Sequence, residues 1–230
     1  MGEYVKVILI ILALAVILAL LAYLRWIRPW QLRWGATNAE LERTMPGDDL
    51  LKRPTFNATR AVTIRARPEE IWPWIVQLGY GRAGWYSYDW IDNLGRPSAE
   101  SIISELQQRD VGDLIPMGPG QFGLQVKALE SNRSMLWGNK GDRNQATWAW
   151  GLYPLDETQT RLVSRVRIRY DWTRPSIIFH LLLDVGDIVM MRKCMLGIKR
   201  RAEAGAGLTQ QFSHSASESE AIEASERDLQ

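Results

Sequence analysis

The sequence predicts an α+β domain, a curved antiparallel β-sheet gripping one long C-terminal helix, carried behind a single N-terminal transmembrane helix. Three observations predict it. Residues 7–24 form an eighteen-residue run without charge, proline or glycine. Residues 59–66 alternate apolar and polar, and strand-like segments separated by turn residues recur from 111 to 170. An amphipathic stretch from about 175 to 202 follows them.

At about 1.5 Å per residue the apolar run makes roughly 27 Å of helix, close to the roughly 30 Å hydrocarbon core of a bilayer. Trp26, Trp30 and Trp34 follow, interleaved with Arg25, Arg28 and Arg33, a composition suited to the membrane–water interface. A cleaved secretory signal fits less well: its apolar core is usually about 7–15 residues and ends in small residues, whereas this run ends Leu20-Leu21-Ala22-Tyr23. The run therefore reads as a single-pass anchor. Three arginines flank its C-terminal end before the first acid, Glu40, so the positive-inside rule places the soluble domain on the cytoplasmic side.

The organisation reads as anchor and interface belt (1–34), linker (35–58), folded domain (59–203) and a disordered acidic tail (204–230). Net charge is +2, unevenly spread: Glu218, Glu220, Glu223, Glu226 and Asp228 against Arg227 leave the tail at −4 and the rest at +6. The basic clusters suit anionic headgroups, and no nucleic-acid motif accompanies them. One cysteine, Cys194, excludes an intramolecular disulfide and, in a Met-rich helical segment, reads as core packing.

Punctuation in MPGDD and KRP marks the linker, which is expected to wrap onto the domain. In the first strand Val62, Ile64 and Ala66 share one face, Thr63 and Arg65 the other. Pro68-Glu69-Glu70 suits a helix first turn, the stripe Ile71, Trp74, Ile75, Leu78 is helical, and Gly79 stops it. Pro73 is read as lying within the first turn or so. Residues 79–95 form a glycine-rich loop leading into a short helix. The segments VGDLIPM, FGLQVKALE, RSMLWGNK, ATWAWGLYPL and TRLVSRVRIRY then make an antiparallel meander. In the last of these Leu162, Val166 and Ile168 face one way, and Arg161, Arg165, Arg167 and Arg169 the other, expected to be a solvated outer surface. The C-terminal helix is too charged to be a second span, since Asp184, Asp187, Arg192 and Lys193 follow the apolar run 177–183.

This β-α-β(n)-α order, with ATRAVTIRARPEEIWPWIVQLGYGRAGWYSYDWIDN at 58–93 and MMRKCMLGIKRRAE at 190–203, resembles the START-like or SRPBCC helix-grip superfamily. That superfamily includes polyketide cyclase/dehydrase and lipid-transport types. These stretches resemble a bacterial, often membrane-anchored branch of it, and the similarity covers about residues 35–203. The resemblance implies a hydrophobic cavity between sheet and helix, without naming its contents.

The candidate ligand-binding residues are aromatic and soft. Trp85, Tyr86, Tyr88 and Trp90 cluster within six positions, Trp148 and Trp150 share a strand face, and Met190 and Met191 sit on the last helix. Plain core packing is the alternative for all of them. Asp89, among four aromatics, and Tyr88 are weak catalytic candidates. Burial would raise the Asp89 pKa, but capping the short helix or pairing with a residue such as Arg82 explains it equally well. The arginine row offers a second option, holding a ligand carboxylate or phosphate. No cofactor is implied. No metal-ligand spacing exists, only His180 and His214 are present, and the GYGRAG glycines follow a helix rather than a strand, which rules out a dinucleotide loop.

The leading functional expectation is a membrane-anchored binding module for a lipid or other hydrophobic small molecule. Its partners are then the bilayer and that ligand, with no nucleic acid and no oligomeric state implied. A polyketide cyclase-type enzyme and a regulatory interaction protein are the alternatives.

Overall fold

The computed structural model describes residues 2–120, 122–139, 145–170, 182, 184 and 186–207. Six strands, β1 (Phe56–Ile64), β2 (Leu114–Pro116), β3 (Gly123–Glu130), β4 (Ser134–Gly138), β5 (Ala146–Pro154) and β6 (Thr160–Ile168), form one sheet in the order β1-β6-β5-β4-β3-β2. Every pairing is antiparallel. A register shift between Val126 and Ala128 bends β3. Residues 186–207 are helical, and their buried stripe Ile188, Met191, Met195, Ile198 and Ala202 packs the inner face. The fold is a helix grip.

N-terminal to the sheet, α1 (Gly2–Ala22), a π turn (Tyr23–Ile27) and α2 (Arg28–Leu32) run as one helical rod, long and apolar enough to cross a membrane. Then come α3 (Asn38–Glu42), α4 (Pro68–Val76) and α5 (Asp89–Asp92). The C-terminal helix is α6; the sequence-predicted start of this helix before 182, His180, and the tail beyond 207 lie outside the described residues. β1 starts at Phe56, three residues before the alternation becomes visible, because Ala58 and Phe56 are recruited by pairing with Val166 and Ile168. The segment VGDLIPM supplies only Leu114–Pro116 to the sheet.

In α4, Pro73 is the sixth residue, in the second turn rather than the first. It removes one intrahelical bond from a helix that Glu70 closes at its start by accepting from the Arg67 N–H at 2.7 Å. Gly79 ends the following turn at φ 137, a conformation open to glycine.

The outer face of the sheet corrects one expectation. Arg161, Arg165 and Arg167 are not solvated, because the segment between α2 and β1 folds back over them, whereas Arg169 is exposed as expected. Arg165 is 4% exposed. It donates to the carbonyls of Arg43, Glu40 and Leu41 and to Thr59 Oγ1 at 2.8–3.0 Å, and it pairs with Asp48. Arg167 pairs with the other oxygen of Asp48. Arg161 pairs with Glu40 at 2.7 Å, and Glu40 also completes a capping box with Thr37 at the start of α3. Burial works against the Glu40 charge, but Arg161 and the Thr37 N–H outweigh it and hold its pKa below the usual range. Met45, Ala61, Leu136, Ala149 and Val163 fill the space between.

Arg165→Ala would leave Asp48 and three carbonyls short of a buried donor, a loss of about 3–5 kcal/mol. The expected outcome in detergent-solubilised protein is a lower denaturation midpoint, with new proteolytic cleavage between residues 36 and 53.

Candidate functional site

Strand alternation sends Trp137 of β4 and Trp148 and Trp150 of β5 to the inner face, where Trp137 and Trp148 are direct cross-strand partners. The loop after α4 adds Trp85. Trp85 stacks on Trp148 at 5.6 Å, and Trp137 meets Trp148 edge-on at 4.9 Å and Trp150 at 5.8 Å. Such ring pairs are worth about 0.5–1.5 kcal/mol each beyond their burial. Trp148 Nε1 donates to Ser164 Oγ at 2.8 Å. Trp137 Nε1 and Trp150 Nε1 are buried and have no hydrogen-bond partner. Trp137 is the member of this cluster that sequence reading missed, although its alternation with Met135 carried the signal.

The other sequence-predicted residues divide. Tyr86 is buried at φ 55, its hydroxyl donating to the Trp74 carbonyl at 3.2 Å and accepting from Gln77 at 2.9 Å. Burial pushes its phenol pKa up. Arg201 lies over its ring at 4.4 Å. Tyr88 is half-buried beneath Lys193 Nζ, 3.7 Å from the ring centroid. Met191 is buried in the core and Met190 is half-buried, its carbonyl accepting from Ser87 Oγ at 3.0 Å. Trp90 stands apart from the cluster, 74% exposed.

Asp89 accepts from the Ser98 N–H at 3.0 Å and from Ser98 Oγ at 2.5 Å. It therefore holds the loop at 98, and Arg82 is occupied elsewhere, donating to the Leu106 carbonyl. The carboxylate with the chemistry expected of Asp89 is Asp92, one helical turn on. Both its oxygens are buried, and the approaches of Ser87 and of the backbone at 88 and 92 only partly offset their desolvation. Burial, and then the charge of Asp89, push its pKa up to about 6. Burial also pushes the neighbouring Cys194 thiol up, with Asp92 adding to the effect, so this thiol is unreactive.

Beside these residues a groove of about 380 Å³ follows the seam between α6 and the aromatic loop. Tyr86, Asp89, Ser98, Lys193, Leu196 and Arg200 are among its walls. The seam is tight because Gly197 has no side chain: a Cβ there would stand 2.4 Å from the Tyr86 carbonyl oxygen. A larger groove of about 860 Å³ lies over the outer face, between Arg43, Glu69, Arg133, Tyr153 and Leu155. Among the described residues no group of three or more His, Cys, Asp or Glu side chains is placed to hold a metal.

No family model matches the chain, and no curated protein matches it in sequence. Solved structures similar to it include the polyketide cyclase-like protein Cgl2372 of Corynebacterium glutamicum, at 14% identity over 65% of this chain and 92% of that one, TM-score 0.42. A Thermobifida fusca protein matches at 12% identity over 63% and 94%, TM-score 0.38. EF2215 of Enterococcus faecalis, a conserved protein of unknown function, matches at 12% identity over 76% and 93%, TM-score 0.37.

The native state of this protein holds a proton on Asp92 more tightly than an unfolded chain does, with a pKa of about 6 against 3.8. Stability contributed by that proton is present at low pH and is lost as pH rises from about 4 through 6. Thermal melts of Asp92→Asn should therefore exceed wild type above pH 6 and converge with it near pH 4.

Proposed function

We propose that this protein is a membrane-anchored binding module that takes up a lipid or another hydrophobic small molecule between its sheet and α6. The observation that carries the reading is the four-tryptophan inner face with two buried, unpartnered indole N–H groups. An unmet buried donor costs about 1–3 kcal/mol, so two of them in one apolar cluster favour an occupant that brings an acceptor oxygen. Aromatic walls with a few aimed polar groups are the usual lining of small-ligand sites. The seam groove supports the same reading. It starts one residue from Trp85 and carries Lys193 and Arg200 against Asp89 and Glu100, a mixed rim suited to a polar or anionic head. An amphipathic ligand would place its head at the seam, and its tail would reach the tryptophans by displacing side chains that fill the inner face in this structure.

The anchor gives the site its context. A rod of the length and polarity of residues 2–32 would tether the cavity where apolar ligands concentrate. The arginines after it favour a cytoplasmic domain. Asp92 favours a second reading, a polyketide cyclase-type enzyme in which this carboxyl group, rather than Asp89, moves a proton near neutral pH.

Native mass spectrometry of the full-length protein, released from detergent after exposure to membrane lipid extract, tests the binding reading. A discrete adduct of lipid mass is expected. Trp137→Phe and Trp150→Phe should each lower its occupancy severalfold at a temperature where both variants are still folded; each also lowers the apo melting temperature, because shrinking a fully buried indole leaves a cavity. No adduct in wild type would sink the reading.

A further inference from the structure

We propose that the α5 loop and the outer face of α6 form a second bilayer-contacting surface, so that the domain lies against anionic lipid instead of standing off on its anchor. This rests on the anchor reading above. The loop presents Trp90, Ile91 and Leu94, which are 74%, 49% and 64% exposed. Leu182 and Val189, 66% and 53% exposed, lie seven residues apart and so share one face of α6. A domain that meets only water rarely leaves apolar side chains of this size grouped on adjoining elements.

The position of this surface follows from one carboxylate. Asp184 accepts from Arg28 at 2.8 Å and lies 3.4 Å from the Tyr23 hydroxyl, while Gln31 bonds its carbonyl. Tyr23 is the penultimate residue of the apolar run, so Asp184 stands at the level where hydrocarbon gives way to headgroups. Leu182 is two residues away, at most about 7 Å of chain. The α5 loop seats on the next turns of the same helix, through Ser87 on Met190 and Tyr88 under Lys193.

Charge and continuity select the occupant. Exposed Trp26 and Trp30 already stand at the interface end of the anchor, and Lys193 and Arg192 flank the apolar stripe of α6. Indole, aliphatic and cationic side chains together match the interfacial zone of a bilayer carrying anionic lipid. The seam groove opens on this same face, where Lys193, Leu196 and Arg200 line it. A lipid would then pass from the bilayer into the groove without crossing bulk water.

The test places nitroxide labels, one at a time, at Trp90→Cys, Leu94→Cys and Val189→Cys in the full chain, reconstituted in phosphatidylcholine vesicles containing phosphatidylglycerol. Buried Cys194 stays unlabelled. Leu155→Cys, in the turn at the far end of β6 from Tyr170, reports open water, and Leu14→Cys reports the anchor. The expected result is collision with a water-soluble nickel chelate severalfold lower at 90, 94 and 189 than at 155, with oxygen collision raised. Chelate access at 90 and 94 equal to that at 155, with Leu14 shielded by lipid, overturns this surface and leaves the anchor standing. Chelate access at Leu14 overturns the anchor reading and this one together. Shielding of 90 and 94 from both reagents means that protein covers the face, and overturns the proposal.

Discussion

The carboxylate of Asp184 ties three parts of the molecule together. Arg28 grips it from α2, Tyr23 reaches it from the π turn, and Tyr170 approaches it at 3.4 Å from just beyond β6. Gln31 binds its carbonyl, and the Gln31 carbonyl in turn accepts from Arg60 at 2.8 Å, which pairs with Asp187. Apolar packing of Leu32 against Phe56, Ala58 and Tyr170 is non-directional and would tolerate sliding. Charge-assisted bonds to one buried carboxylate do not tolerate it, because removing any partner strands a desolvated charge. The N-terminal helical rod, the end of β6 and Asp184 of the C-terminal helix are thereby fixed together.

Both faces of β1, β4, β5 and β6 are largely buried, by opposite chemistry. The inner face is filled by tryptophan, methionine and aliphatic side chains of the sheet, the aromatic loop and α6. The outer face is covered by a segment with little regular structure, held by Arg161, Arg165 and Arg167 on Glu40, Asp48 and backbone carbonyls. Ion pairing suits this second job because the covering segment has many unmet carbonyls and few large apolar residues. The result is a rigid floor beneath the tryptophan cluster, while the opposite wall, the seam of α6 with the aromatic loop, is the one lined by a groove.

Along that seam polar groups are spent on positioning. Asp89 holds Ser98, Gln77 holds Tyr86 and the Ile103 N–H, and Gly197 lets the helix backbone approach Tyr86. Asp92 is the exception, a carboxylate whose desolvation outweighs the contacts with Ser87 and the nearby backbone that favour its charge. Beside Cys194, burial and the charge of Asp89 push the Asp92 carboxyl pKa up to about 6.

The sequence by itself determined the apolar rod, the antiparallel meander, the α4 stripe of Ile71, Trp74, Ile75 and Leu78, and the shared face of Trp148 and Trp150. Each depends on local periodicity, and a period of 2 or 3.6 is written directly in the order of residues. Only the tertiary structure decided what those faces meet. Arg165 alternates outward as a solvated residue would, and nothing local shows that residues 40–48 return to bury it. Asp89 and Asp92 lie three apart in one run of aromatics, and burial went to the second because Ser98, a residue outside the run, engaged the first. Trp85 and Trp90 are five apart and equally apolar, yet one stacks on Trp148 and the other faces out. Periodicity fixes which side chains share a face; long-range contact, with its own polar and steric demands, fixes what that face is for.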